Sequence, residues 1–328
     1  MGCSFTALVT SHNILQVLIT KFAFVFPGQG SQSRGMMNNY ADFPVVRDTF
    51  AEASDILHQD LWKLVAEGSD AELNATINTQ PLMLTAGVAV YRAWQSLNAP
   101  TPALLAGHSL GEYTALVVGG ALQFADALPL VRYRAECMQE AVPNGVGGIA
   151  AIIGLDDESV LKVCIEAAQD EVLEAVNFNT PGQVVIAGNR AAVERGMELA
   201  KVKGAKRALM LPMSVPSHCS LLRGAAELLR VNLNDVTMQA PFIPVLHNAD
   251  VRSYMDVPSI KDALVRQLYS PVRWVEIVQC FSQKFITHNV ECAPGKVLMA
   301  LNKRIDTNQQ ALALNDSIAL KSAWAALS

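Results

Sequence analysis

The sequence is short of charge, has little excess of either sign, and lacks any C-x-x-C pair among its six cysteines. Charged residues make up 17% of 328 positions against 51% hydrophobic, which excludes disorder and suits an α/β protein with buried strands. A net charge of -5 supplies no basic field for a phosphate backbone, so nucleic acid is excluded as a partner, and an acidic partner would need a local basic patch. Cys3, Cys137, Cys164, Cys219, Cys280 and Cys292 are scattered, which argues against a zinc site or disulfide framework and for a reducing cytoplasm. The first twenty residues contain no Lys or Arg, so the charged start of a secretion signal is missing. Ser11, His12 and Asn13 break that apolar segment well short of a membrane span. It reads as a disordered extension or a misassigned start. Repeats and low-complexity tracts are absent.

What is present is enough chain for one large core or for a large domain carrying a smaller one. Lys21-Phe22-Ala23-Phe24-Val25-Phe26 reads as a buried strand delivered into the turn Pro27-Gly28-Gln29-Gly30-Ser31, where backbone N–H groups can approach a ligand. Helical periodicity runs from about Phe43 to Leu97, with Pro81 suited to a helix's first turn. Ala103 to Ala106 is a second strand. From Gly148 the pattern becomes strand (Ile149–Ile153), helix (Asp157–Gln169), strand (Val172–Asn177), strand (Gln183–Ala187), helix (Ala191–Lys203) and strand (Arg207–Leu211). That order is ferredoxin-like. The expected organisation is therefore a discontinuous large domain, 21–145 and 213–328, with a small domain, 146–212, inserted into it.

Gly107-His108-Ser109-Leu110-Gly111 fits G-x-S-x-G between a strand and a helix beginning near Glu112, the setting of a nucleophile elbow. In such a turn the glycines permit a tight reversal, Ser109 is held out, and the N–H of Leu110 points where an oxyanion would form. A serine needs a base. His12 lies in the extension, His58 between helices, and His108 within the turn itself, leaving His218, His247 and His288. His218 follows a strand and precedes a helix, and His247 also ends a strand, so the pattern favours His218 without excluding His247. Arg132 and Arg134 share a helix from about Asp126 to Glu140. Either could be solvated or paired with Glu136, or could turn inward and fork a substrate carboxylate.

Gly28-Gln29-Gly30-Ser31-Gln32, Gly107-His108-Ser109-Leu110-Gly111-Glu112-Tyr113 and Pro216-Ser217-His218, in that order, resemble the malonyl-CoA:acyl carrier protein transacylases of bacterial fatty-acid synthesis. Tyr133-Arg134-Ala135-Glu136-Cys137-Met138-Gln139, Asn177 to Gln183, and Val265-Arg266-Gln267-Leu268 extend the likeness from Phe22 into the C-terminal region. The resemblance implies an α/β-hydrolase-like large domain with an inserted ferredoxin-like small domain. It also implies Ser109 as nucleophile, His218 as base, the N–H groups of Gln29 and Leu110 as oxyanion hole, and Arg134 as ligand of the malonyl carboxylate. The base would be oriented by the main-chain carbonyl of Gln267 in place of an acid. Two features depart from the family: Ala293-Pro294-Gly295 stands where glycine-proline-glycine is usual, and the first twenty residues match nothing.

The implied reaction is ping-pong transfer of malonyl from malonyl-CoA, through an ester on Ser109, to the phosphopantetheine thiol of acyl carrier protein, with no metal or tightly bound cofactor. An acyl hydrolase and a catalytically idle carrier-binding module are the rival readings. An acidic carrier protein would need a basic surface, for which Lys201, Lys203, Lys206 and Arg207 are the candidates; the plainer reading is a solvated helix end.

Overall fold

A computed structural model describes residues 21–328 except 144, 213 and 214. The expected N-terminal extension and Met213 and Ser214 lie outside the described residues. Among the described residues nine strands form two sheets: β1 (Phe22–Phe26), β2 (Leu104–Gly107), β3 (Gly147–Ile153), β4 (Leu173–Thr180), β5 (Gln183–Asn189), β6 (Arg207–Met210), β7 (Val245–Leu246), β8 (His288–Glu291) and β9 (Gln310–Ala313). The first sheet has the order β7-β2-β1-β8-β9 with every pair parallel; the second has the order β4-β5-β3-β6 with every pair antiparallel. This is the α/β-hydrolase-like sheet with the ferredoxin-like unit inserted in the chain between β2 and β7.

The parallel sheet is covered on both faces, which is why β1 is continuously apolar and buried throughout. On one face Phe24 meets Trp94 edge to face at 5.3 Å between centroids, and Phe22 meets Trp94 at 6.0 Å. On the other, Ala23 and Val25 pack into a cluster with Trp274 and Phe281. Strand succession reverses beside β1, and in such sheets ligands settle at the carboxyl ends of the strands. The loops after β1, β2 and β7 all emerge there.

The periodic stretch before β2 is four helices, Pro44–Leu57, Leu61–Glu67, Asp70–Asn74 and Thr76–Ser96. Local capping divides it: His58 closes the first in a left-handed conformation (φ 51°), Asp60 caps the second, and Ser69 with Glu72 forms a reciprocal capping box on the third. Pro81 corrects its expected place. The last helix begins at Thr76, so the proline lies more than a turn inside it, where Thr85 Oγ1 donates to the Pro81 carbonyl at 2.7 Å.

In the antiparallel unit, Asp156 caps the helix Asp157–Ala168, and the helix Arg190–Val202 packs beside it. The candidate basic surface is half neutralised there: Lys201 pairs with Glu198 and Lys203 with Glu166, each at 2.7 Å. Lys206 and Arg207 are exposed and carry no ion pair among the described residues.

Candidate active site

Ser109 stands between β2 and the helix Gly111–Val118 with φ 53°, the left-handed region that non-glycine residues seldom occupy. Both flanking glycines are required by close approach. A Cβ on Gly107 would lie 1.8 Å from the Gly111 carbonyl carbon, and one on Gly111 would lie 2.0 Å from the Phe26 oxygen. Asn248, following β7, pins the elbow by accepting from the Ser109 N–H at 2.7 Å and donating to the Gly107 carbonyl at 2.6 Å.

His218 Nε2 lies 2.8 Å from Ser109 Oγ, and Nδ1 lies 2.7 Å from the Gln267 carbonyl. A carbonyl can only accept, so Nδ1 carries the proton and Nε2 is free to receive the serine hydroxyl hydrogen. The His218 backbone is itself left-handed (φ 67°), and its N–H donates to Leu268 at 2.9 Å. Burial pushes the imidazole pKa down to about 3, assisted by the nearby Arg134 charge and opposed by the Gln267 hydrogen bond. The imidazole is therefore neutral at ordinary pH.

Arg134 projects from the helix Phe124–Ala141 and is 1% exposed. Its Nη1 donates to Gln80 Oε1 at 2.7 Å; its Nη2 donates to Gln267 Oε1 at 3.0 Å and to Ser109 Oγ at 3.3 Å. Its Nε–H has no partner among the described residues. Every oxygen it contacts is uncharged, and burial lowers its pKa. A guanidinium so desolvated is suited to take an anion.

These groups surround a cavity of about 410 Å³ whose walls include Gln29, Ser109, Leu110, Arg134 and His218. Among the described residues the backbone N–H groups of Gln29 and Leu110 have no hydrogen-bond partner, and the Gln29 side chain is held by Thr76 Oγ1 at 2.9 Å. Ile149, Asn177, Asn179 and Val185 of the antiparallel sheet close the opposite side. Among the described residues no group of three or more His, Cys, Asp or Glu could hold a metal ion.

A family profile described as acyl transferase domain matches residues 23–316. The malonyl CoA-acyl carrier protein transacylase of Escherichia coli K12 is 54% identical over 306 residues, 93% of this chain and 99% of that protein. The chain belongs to the malonyl CoA-acyl carrier protein transacylase family. An acyl-carrier-protein S-malonyltransferase from Burkholderia pseudomallei 1710b has the same fold, with TM-score 0.92 and 58% identity over 93% of this chain and all of that one. A malonyl-transacylase solved in complex with its type II PKS acyl-carrier protein matches at TM-score 0.93 and 50% identity, over 94% of this chain and 100% of that one.

The family resemblance read from the sequence thus holds, and every residue it singled out lies at this cavity or directly behind it. The other candidates have other partners. His247 is buried against Glu112, His288 bonds Thr287 and Gln310 at the start of β8, and Arg132 reaches the Leu57 carbonyl and Gln59. His108 turns to Asn179 at 2.9 Å and lies against Trp274, with its pKa lowered by burial. Ala293, standing in the family's glycine position, is fully buried and not left-handed, so its methyl is accommodated. Reasoning from sequence missed Gln80 and Asn248, and saw Glu112 only as a helix start.

Proposed function

We propose that the chain transfers malonyl from malonyl-CoA to the phosphopantetheine thiol of an acyl carrier protein through an ester on Ser109. The observation that carries the reading is Arg134: a buried guanidinium with uncharged partners, 3.3 Å from the nucleophile. Ser109 Oγ attacks the thioester carbonyl while its proton passes to His218 Nε2, and the N–H groups of Gln29 and Leu110 receive the oxyanion. Collapse breaks the carbon–sulfur bond, and His218 returns the proton to the departing thiolate. The carrier thiol then gives its proton to His218 and repeats the attack on the ester; the carbon–oxygen bond breaks and His218 returns that proton to Ser109 Oγ, regenerating the serine. The Gln267 carbonyl orients the base throughout. Arg134 selects the acyl group, since acetyl would leave the guanidinium unanswered.

In this reading residues 21–145 and 213–328 carry the chemistry and 146–212 a neutral wall, and the free thiols support action in the cytoplasm. No metal or tightly bound cofactor enters the cycle. The testing experiment is mass spectrometry after brief exposure to malonyl-CoA. A malonyl adduct on the Ser109 peptide is expected, discharged on adding holo carrier protein; an adduct on another residue, or none, overturns the reading.

A further inference from the structure

Behind Arg134 lies a carboxylate that the cycle above does not use. Glu112, in the first turn of the helix after the elbow, is 0% exposed. Its Oε2 accepts from the Asn248 N–H at 2.8 Å and from Gln267 Nε2 at 2.9 Å; its Oε1 accepts from His247 Nδ1 at 2.7 Å. His247 Nε2 has no partner among the described residues, so the buried ring has no acceptor for a second N–H. Gln267 is the bridge: its Nε2 faces Glu112 while its Oε1 accepts from Arg134 Nη2 at 3.0 Å. One amide thus separates the buried anion from the buried cation, and Glu112 is the carboxylate whose charge bears on Arg134.

We infer that Glu112 is the resident counter-ion of the carboxylate site, holding Arg134 in place between turnovers and weakening its grip on the incoming acyl carboxylate. The inference rests on the malonyl reading and deepens it. A buried cation with no anion near it is strongly unfavourable, so an empty site needs a permanent negative charge close by. Direct contact would fill the guanidinium and exclude substrate. An interposed amide supplies the field and leaves donors free. The same charge repels the malonyl carboxylate, which lowers ground-state affinity and keeps the acyl-enzyme from becoming a trap. Fixing the Gln267 amide also points its oxygen at Arg134, so Glu112 acts as a positioning residue.

The test compares binding of malonyl-CoA and acetyl-CoA by calorimetry in Ser109→Ala, which cannot turn over, with and without Glu112→Gln. Removing the charge is expected to tighten malonyl-CoA about threefold to tenfold, the range for like charges one group apart at an intermediate dielectric, and to leave acetyl-CoA unchanged. Unchanged or weaker malonyl-CoA binding overturns the inference, as does parallel weakening of both thioesters, which would mark Glu112 as scaffold alone. Should Glu112→Gln fail to fold, the double variant with Arg134→Gln, free of both charges, is expected to fold; its failure assigns Glu112 to support of Asn248 and overturns the counter-ion role. Equal binding of the two thioesters by Ser109→Ala without further change would sink the malonyl reading, and the inference with it.

Discussion

The two sheets handle charge in opposite ways. At the carboxyl ends of the parallel sheet, Glu112, Arg134, His218 and Glu291 are all at most 3% exposed. The antiparallel unit keeps its charges outside, as exposed pairs such as Lys162–Glu158, Lys203–Glu166 and Arg190–Glu194, and gives the cavity only neutral side chains. Exposed pairs contribute about 0–1 kcal/mol each, whereas a buried group that loses its partner costs several times more. Substitutions in the first set should therefore act on chemistry and in the second on encounter.

The sharpest test of that division is His218, the proposed base. Replacing His218 with Ala is expected to slow acylation by roughly 10²–10⁴-fold, the span of general base catalysis, with malonyl-CoA binding retained. Stopped-flow release of coenzyme A reads the first and calorimetry the second. A loss of similar size on replacing an exposed residue of the antiparallel unit, such as Lys162, would break the comparison.

Arg134 comes next. Arg134→Ala is expected to cost about 2–5 kcal/mol in malonyl transfer and to narrow the preference over acetyl-CoA, because the neutral thioester never used the guanidinium. The ratio of the two acylation rates checks it. An unchanged ratio would put the carboxylate elsewhere.

What the sequence disclosed follows from how local each signal is. Ser109 was legible because an elbow is written in five consecutive residues, with its strand before and its helix after. The four-strand unit was legible because each element carries its own period. His218 against His247, and Arg132 against Arg134, stayed open on pattern alone, since side-chain direction is set by packing between distant elements; the members that the family resemblance named, His218 and Arg134, are the ones within 2.8 and 3.3 Å of Ser109 Oγ. Gln80 lies 54 positions from Arg134, and Asn248 lies 139 from Ser109, so no window could join them. Pro81 was misplaced because proline suits a first turn statistically. Here it sits one turn further in, where Thr85 takes up its carbonyl.

The buried set also makes a prediction in pH. His218 has a folded-state pKa depressed to about 3, so an unfolded chain at about 6.5 binds a proton the native state refuses. Its contribution is present above about 6.5 and lost as pH falls toward about 3. Glu291, whose Oε2 accepts from the Met299 N–H at 2.8 Å, has its pKa raised to about 7 by burial, so its native form keeps a proton the unfolded chain gives up from about 4.3. That contribution is present at low pH and lost as pH rises to about 7. The two slopes, each up to about 1.4 kcal/mol per pH unit, oppose one another between about 4.3 and 6.5. His108, whose pKa burial also lowers, adds to the His218 slope, so denaturant titrations should find only a shallow rise with pH there, and Glu291→Gln should steepen it. A slope unaffected by Glu291→Gln would remove Glu291 from the balance.

The smallest effect belongs to the exposed set. With Lys201 and Lys203 tied to Glu198 and Glu166, the cations left to steer an acidic carrier are Lys206 and Arg207 at the start of β6. Two free surface charges change encounter rates by a few-fold at low salt, and the difference fades as the Debye length shrinks to about 8 Å near physiological ionic strength. Reversing both to Glu should therefore slow transfer to the carrier protein a few-fold at low ionic strength and flatten its salt dependence, while acylation by malonyl-CoA stays as it was. The two half-reactions share one cavity and differ in the macromolecule that approaches it, so their ratio isolates the surface. Equal loss in both would place the damage in the fold, and no loss in either would return Lys206 and Arg207 to being an ordinary solvated edge.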